Sequence, residues 1–108
     1  MFLFGGARME NITPADLQKR VENKEKLTIV DVREPWEYQE GHLPGSRLLP
    51  LGQIRTWAGE LPKNEEIIVY CRTAARSASA YKYLQAQGFT KVKNMSGGII
   101  AWRGAVQR

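Results

Sequence analysis

Glu66-Ile67-Ile68-Val69-Tyr70-Cys71-Arg72-Thr73-Ala74-Ala75-Arg76-Ser77 is the stretch on which the reading of the chain turns. An apolar, β-branched run ends at the only cysteine, and small residues held between Arg72 and Arg76 then open a helical pattern. This order predicts strand, tight loop and helix, with Cys71 at the carboxyl end of the strand, where open α/β sheets place their ligands. Backbone N–H groups of such a loop can converge on an anion, and the dipole of the following helix favours negative charge there. The same surroundings, together with nearby arginines, depress a cysteine pKa from about 8.5 into the reactive range. The loop thus combines a nucleophile with an anion site.

Composition sets the frame for that loop. At 108 residues the chain is long enough for one domain with one core, and 43% hydrophobic with 25% charged residues is an ordinary globular balance that excludes disorder and membrane insertion. The net charge of +5 comes from lysines and arginines scattered along the chain, without the stacking aromatics of a single-strand binder. Small anionic substrates or an acidic protein partner fit this charge better than nucleic acid. A single cysteine forms no internal disulfide and suits a reducing compartment, so a cytoplasmic location is expected. Met1-Phe2-Leu3-Phe4 is too short for a signal-peptide core, and no run reaches membrane-spanning length. Residues 1–9 read as a flexible leader before a domain over residues 10–108.

The flanking segments alternate strand and helix. Thr13-Pro14-Ala15-Asp16 carries a cap, a first-turn proline and an acidic residue, predicting a helix to about Glu22 with Leu17 and Val21 on its docking face. Leu27 to Arg33 reads as a buried strand whose end carries Asp31 and Arg33, charges that must be either solvated or paired. A short strand is expected at Arg47–Pro50, and Gln53 to Leu61 shows Ile54, Trp57, Ala58 and Leu61 at helical spacing. After the loop, Ala78, Tyr81 and Leu84 predict a helix stopped at Gly88. Lys91 to Met95 reads as a short strand, placed near an edge by its lysines. Ser96-Gly97-Gly98 breaks it, and Ile99-Ile100-Ala101-Trp102 is expected to begin a closing helix. The alternation gives an α/β protein with a mostly parallel sheet.

Cys71-Arg72-Thr73-Ala74-Ala75-Arg76-Ser77 resembles the active-site loop of the rhodanese family of sulfurtransferases. Four residues separate Cys71 from Arg76, one fewer than in the Cys-x5-Arg loop of cysteine phosphatases. Two further signatures of that family are matched by Asp31-Val32-Arg33 with Glu37-Tyr38 and Gly41-His42-Leu43-Pro44-Gly45-Ser46, and by Gly97-Gly98 with Ala101-Trp102. The resemblance runs from about Ile12 to Val106. It implies a rhodanese-like three-layer α/β/α fold with about five strands, and Cys71 as a nucleophile that carries sulfur as a persulfide. It implies a cradle of Arg72, Thr73, Ala74, Ala75, Arg76 and Ser77, with Asp31, Arg33, Glu37 and His42 as structural supports beside it. The donor would be thiosulfate or a similar anionic or persulfide compound, and the acceptor a thiol, cyanide or a protein's thiol. No metal or organic cofactor is called for.

The family often has Gly where this chain has Ala74, and a Cβ there costs free energy if the backbone needs positive φ. His42, the only histidine, is a candidate base for Cys71, but its Gly-His-Leu-Pro-Gly context favours local hydrogen bonding. One histidine and one cysteine fall short of a closed zinc site. Two other functions are open to the same scaffold. A phosphatase or arsenate reductase is opposed by the short loop, and arsenate reduction also by the missing second thiol. A non-catalytic docking module is opposed by the presence of Cys71 and its arginines.

Overall fold

The computed structural model describes residues 8–108. Most of the leader read at residues 1–9 therefore lies outside the described residues, although Met9 packs against the core. Five strands, β1 (Asn11–Ile12), β2 (Ile29–Asp31), β3 (Arg47–Leu48), β4 (Ile67–Tyr70) and β5 (Val92–Met95), form one sheet in the order β1-β5-β4-β2-β3 with every pairing parallel. Four helices connect them: α1 (Pro14–Glu22), α2 (Pro35–Glu40), α3 (Ile54–Trp57) and α4 (Ala75–Ala86).

β4 lies at the centre because its Ile-Ile-Val-Tyr run is fully buried on both faces, as a parallel strand between helical layers must be. Side chains alternate across the sheet. Ile67, Val69 and Cys71 share one core with Ile54, Trp57, Tyr81 and Leu84 of α3 and α4. Ile68 and Tyr70 share the other with Leu17 of α1, Leu43 and Trp102. The result is the three-layer α/β/α arrangement, with Cys71 on the α4 side of the sheet.

Local chemistry explains the element boundaries. Thr13 Oγ1 accepts the Asp16 N–H at 3.0 Å and Pro14 follows at the first helical position of α1. α4 ends at Ala86, and Gly88 takes the left-handed conformation (φ +95°) that terminates a helix without a Cβ penalty. The segment read as one helix over Gln53–Leu61 is instead a short α turn flanked by 3-10 turns at Leu51–Gln53 and Ala58–Glu60, which still bury Ile54, Trp57, Ala58 and Leu61.

One expectation is met and another corrected. β5 does lie near an edge: only the two-residue strand β1 lies outside it, pairing Asn94 and Met95, while β4 pairs along its other side. Its lysine is accommodated because Lys93 Nζ lies 2.7 Å from Glu66, which also holds Arg20. The edge strands are β1 and β3, and β1 is too short for the sequence to signal. The closing helix after Gly98 is a single 3-10 turn, Ile99–Ala101, after which Trp102 is extended (φ −78°, ψ 131°). The chain then runs back across the molecule, where His42 and Gln107 exchange backbone hydrogen bonds at 2.9 and 2.8 Å. Among the described residues no helix is long and apolar enough to cross a membrane.

Candidate active site

Cys71 sits one residue beyond β4, 1% exposed, at the carboxyl end of the sheet. Its Sγ accepts the backbone N–H of Ala74 at 3.1 Å and of Ser77 at 3.3 Å. Burial pushes the thiol pKa up, but hydrogen bonds from the Ser77 hydroxyl and from the N–H groups of Ser77, Ala74 and Thr73 outweigh it, and the net shift is downward. The Ser77 hydroxyl has a second acceptor in reach, the Ala74 carbonyl at 3.2 Å. Hydrogen-bond donors, the Ser77 hydroxyl first and then the backbone N–H groups, are what favour the thiolate.

The carbonyls at the start of the loop are held on the side of the 99–101 turn. Ile99 N–H donates to the Cys71 carbonyl at 2.8 Å and Ile100 N–H to the Arg72 carbonyl at 3.2 Å. In a trans peptide the N–H points opposite the carbonyl of the same unit. Pinning these two carbonyls to the 99–101 turn therefore swings the N–H groups of Arg72 and Thr73 away from that turn. The approach is close enough that a Cβ on Gly98 would overlap the Arg72 carbonyl, and Gly98 also has positive φ (+68°). Sequence reading treated Gly97-Gly98 as a strand break and matched it to a family signature. Its role as a clamp on the loop was missed, and the paired glycines before an apolar turn were the available signal.

Ala74 adopts φ +95°, ψ −9°, so the left-handed position that a glycine would fill freely carries a Cβ here. That conformation bends the chain at the start of α4 and turns the Ala74 N–H to the sulfur. Arg72 and Thr73 are exposed, Ala75 is exposed on the first turn of α4, and Ser77 is fully buried.

The two loop arginines are not equivalent. Arg76 forms a two-pronged pair with Glu37 of α2, Nη1 to Oε1 at 2.7 Å and Nη2 to Oε2 at 2.9 Å. Glu37 is 7% exposed, and Arg76 with the Glu34 N–H holds its carboxyl at about 2 despite burial. Arg72 pairs with no carboxylate among the described residues.

Asp31 and Arg33 pair with each other at 2.7 Å, both buried, and Arg33 also donates to the Gly41 carbonyl at 2.8 Å. Neither bonds to the loop; they tie the end of β2 to the end of α2. His42 is also turned away from the sulfur. Its Nδ1 lies 2.8 Å from the Tyr38 carbonyl and its ring stacks on Tyr38 with centroids 3.6 Å apart. Among the described residues no three His, Cys, Asp or Glu side chains gather as metal ligands.

A buried thiol ringed by hydrogen-bond donors at the carboxyl end of a parallel α/β sheet is an arrangement suited to a cysteine nucleophile and to holding negative charge. A family model, the Rhodanese-like domain, matches residues 13–105, and the chain belongs to that family. It is 38% identical over 94 residues to a sulfurtransferase of Allochromatium vinosum, covering 87% of this chain and 88% of the relative. It is 40% identical over 83 residues to the thiosulfate sulfurtransferase GlpE of Pseudoalteromonas translucida, covering 77% of this chain and 79% of the relative. The crystal structure of a rhodanese-like domain protein from Staphylococcus aureus superposes with a TM-score of 0.83 at 32% identity, covering 92% of this chain and 97% of the other. Some relatives are longer, and the chain spans 49% of one from Bacillus subtilis and 26% of one from Mycobacterium tuberculosis.

Proposed function

We propose that the protein is a sulfurtransferase that moves sulfane sulfur from an anionic donor of the thiosulfate type to a thiophilic acceptor through a persulfide on Cys71. The observation that carries this reading is the ring of N–H groups around Sγ, which favours negative sulfur at one point. In the first half-reaction the Cys71 thiolate attacks the outer sulfur of the donor. A new S–S bond forms, the donor's own S–S bond breaks, and its electron pair leaves with sulfite. The terminal persulfide sulfur then carries the negative charge. In the second half-reaction an acceptor thiolate or cyanide attacks that terminal sulfur and Cys71 departs as thiolate. No net oxidation occurs, and the downward shift of the thiol pKa favours the ionised nucleophile.

Relatives named sulfurtransferase and thiosulfate sulfurtransferase support the reaction class and the donor. The test is intact mass spectrometry after exposure to thiosulfate. The expected result is one added sulfur atom that a reductant removes and that Cys71→Ser does not acquire. Failure of the wild-type chain to gain sulfur from any sulfane donor overturns the reading.

A further inference from the structure

The sulfurtransferase reading leaves open which donors the loop prefers, and the fate of Arg76 bears on this. Its end-on fork, Nη1 and Nη2, is taken by Glu37 at 2.7 and 2.9 Å. Glu37 is itself fixed, since its Oε1 also accepts the Glu34 N–H at 3.0 Å in a capping box at the start of α2. Glu37 therefore offsets the charge that Arg76 presents to Cys71, and Arg72, which pairs with no carboxylate among the described residues, is the loop's other cation. A dianion entering such a loop meets a thiolate with one exposed cation to offset it. The surroundings also supply apolar surface. Trp36, next to Glu37, and Ile100, whose N–H holds the Arg72 carbonyl, are 62% and 63% exposed.

Resting on the sulfurtransferase reading, we propose that Glu37 is a specificity-determining positioning residue. By locking Arg76 in an ion pair it sets the loop to favour sulfane donors that bear one negative charge on an organic body over the inorganic dianion. Glu37 touches no reacting atom in this scheme; it acts through Arg76.

The experiment compares two sulfane donors, benzenethiosulfonate as the monoanion and thiosulfate as the dianion, with cyanide as the common acceptor. Glu37→Gln keeps a side chain able to serve in the capping box while deleting the charge. It should raise the ratio of kcat/KM for thiosulfate to that for benzenethiosulfonate about tenfold, chiefly through the thiosulfate KM, and added salt should erase the gain. Arg76→Gln should move the ratio the other way. The double variant Glu37→Gln/Arg76→Gln, with the wild-type charge balance, should return it towards the wild-type value. Alkylation of Cys71 gives a readout independent of turnover: the rate with iodoacetate relative to iodoacetamide should rise in Glu37→Gln. Donor and alkylation ratios that stay unchanged across these variants overturn the inference while leaving the Cys71 persulfide standing. If neither donor places sulfur on Cys71 in the wild-type chain, the sulfurtransferase reading and this inference both fall.

Discussion

At the scale of single residues, Cys71 and Ala74 make opposite predictions about substitution. Cys71→Ser should leave the fold intact and abolish sulfur loading, because a serine hydroxyl is scarcely ionised where the thiol is. The thiol's lowered pKa has a sign that can be read directly. The thiolate exists above the pKa, so the rate of Cys71 alkylation by iodoacetamide should rise with pH and level off below the value of about 8.5 usual for a free cysteine. An inflection at or above that value would show that the N–H ring does not outweigh burial. Ala74 is held at φ +95°, where a Cβ costs about 1 kcal/mol or more. Ala74→Gly should therefore raise the urea midpoint by about 1 kcal/mol of stability, less the extra freedom glycine gives the unfolded chain. Sulfur transfer should persist in that variant. Arg72 pairs with no carboxylate among the described residues, so Arg72→Ala should raise KM for thiosulfate more than it disturbs folding, with the difference shrinking in high salt.

Among elements, the contact between the 97–101 turn and the Cys71 loop is the most sensitive. Gly98→Ala places a Cβ into the Arg72 carbonyl, so the two segments must separate or the loop must deform. The expected cost is about 1–3 kcal/mol in chemical denaturation, accompanied by loss of sulfur loading, since the displaced carbonyls no longer orient the N–H groups. Ion pairs that join elements give a pH dependence. The carboxyls of Glu37 and Glu66 are both held at about 2, against 4.5 for a free group, by Arg76 and by Arg20 with Lys93 respectively. A depressed carboxylate contributes its stability fully above the unfolded value and loses it as pH falls through the folded one. Urea midpoints should therefore decline between about pH 4.5 and 2 and do so less steeply in Glu66→Gln. Much of this arrangement was legible in the sequence: the buried run ending at Cys71, the capped start of α1 and the glycine stop of α4 are local signals. β1 was not, because two residues carry no period. β5 was placed near an edge by its lysines, as it is, but the partner of Lys93, Glu66, lies 27 residues away and has no local signal. The Arg76–Glu37 pair spans 39 residues, and nothing near either residue announces it.

For the molecule as a whole, one sheet positions one thiol. In the proposed mechanism both half-reactions pass through the same sulfur, so turnover should be ping-pong, with parallel double-reciprocal lines as the acceptor concentration is varied. Intersecting lines, with no persulfide isolable before acceptor is added, would show donor and acceptor meeting on the protein together. The solitary thiol has another consequence, for survival under oxidants. Peroxide attacks thiolates, and the sulfenic acid formed at Cys71 has no second cysteine in the chain to condense with, leaving it open to irreversible conversion to the sulfinic acid. A sulfur already seated on Sγ changes the outcome. Oxidant then strikes the terminal atom, and the product stays joined to the protein by an S–S bond that a thiol can cleave, regenerating Cys71. The cargo in transit thus doubles as a sacrificial cap, and a protein resting in its loaded form should recover from a peroxide pulse that permanently silences the empty one.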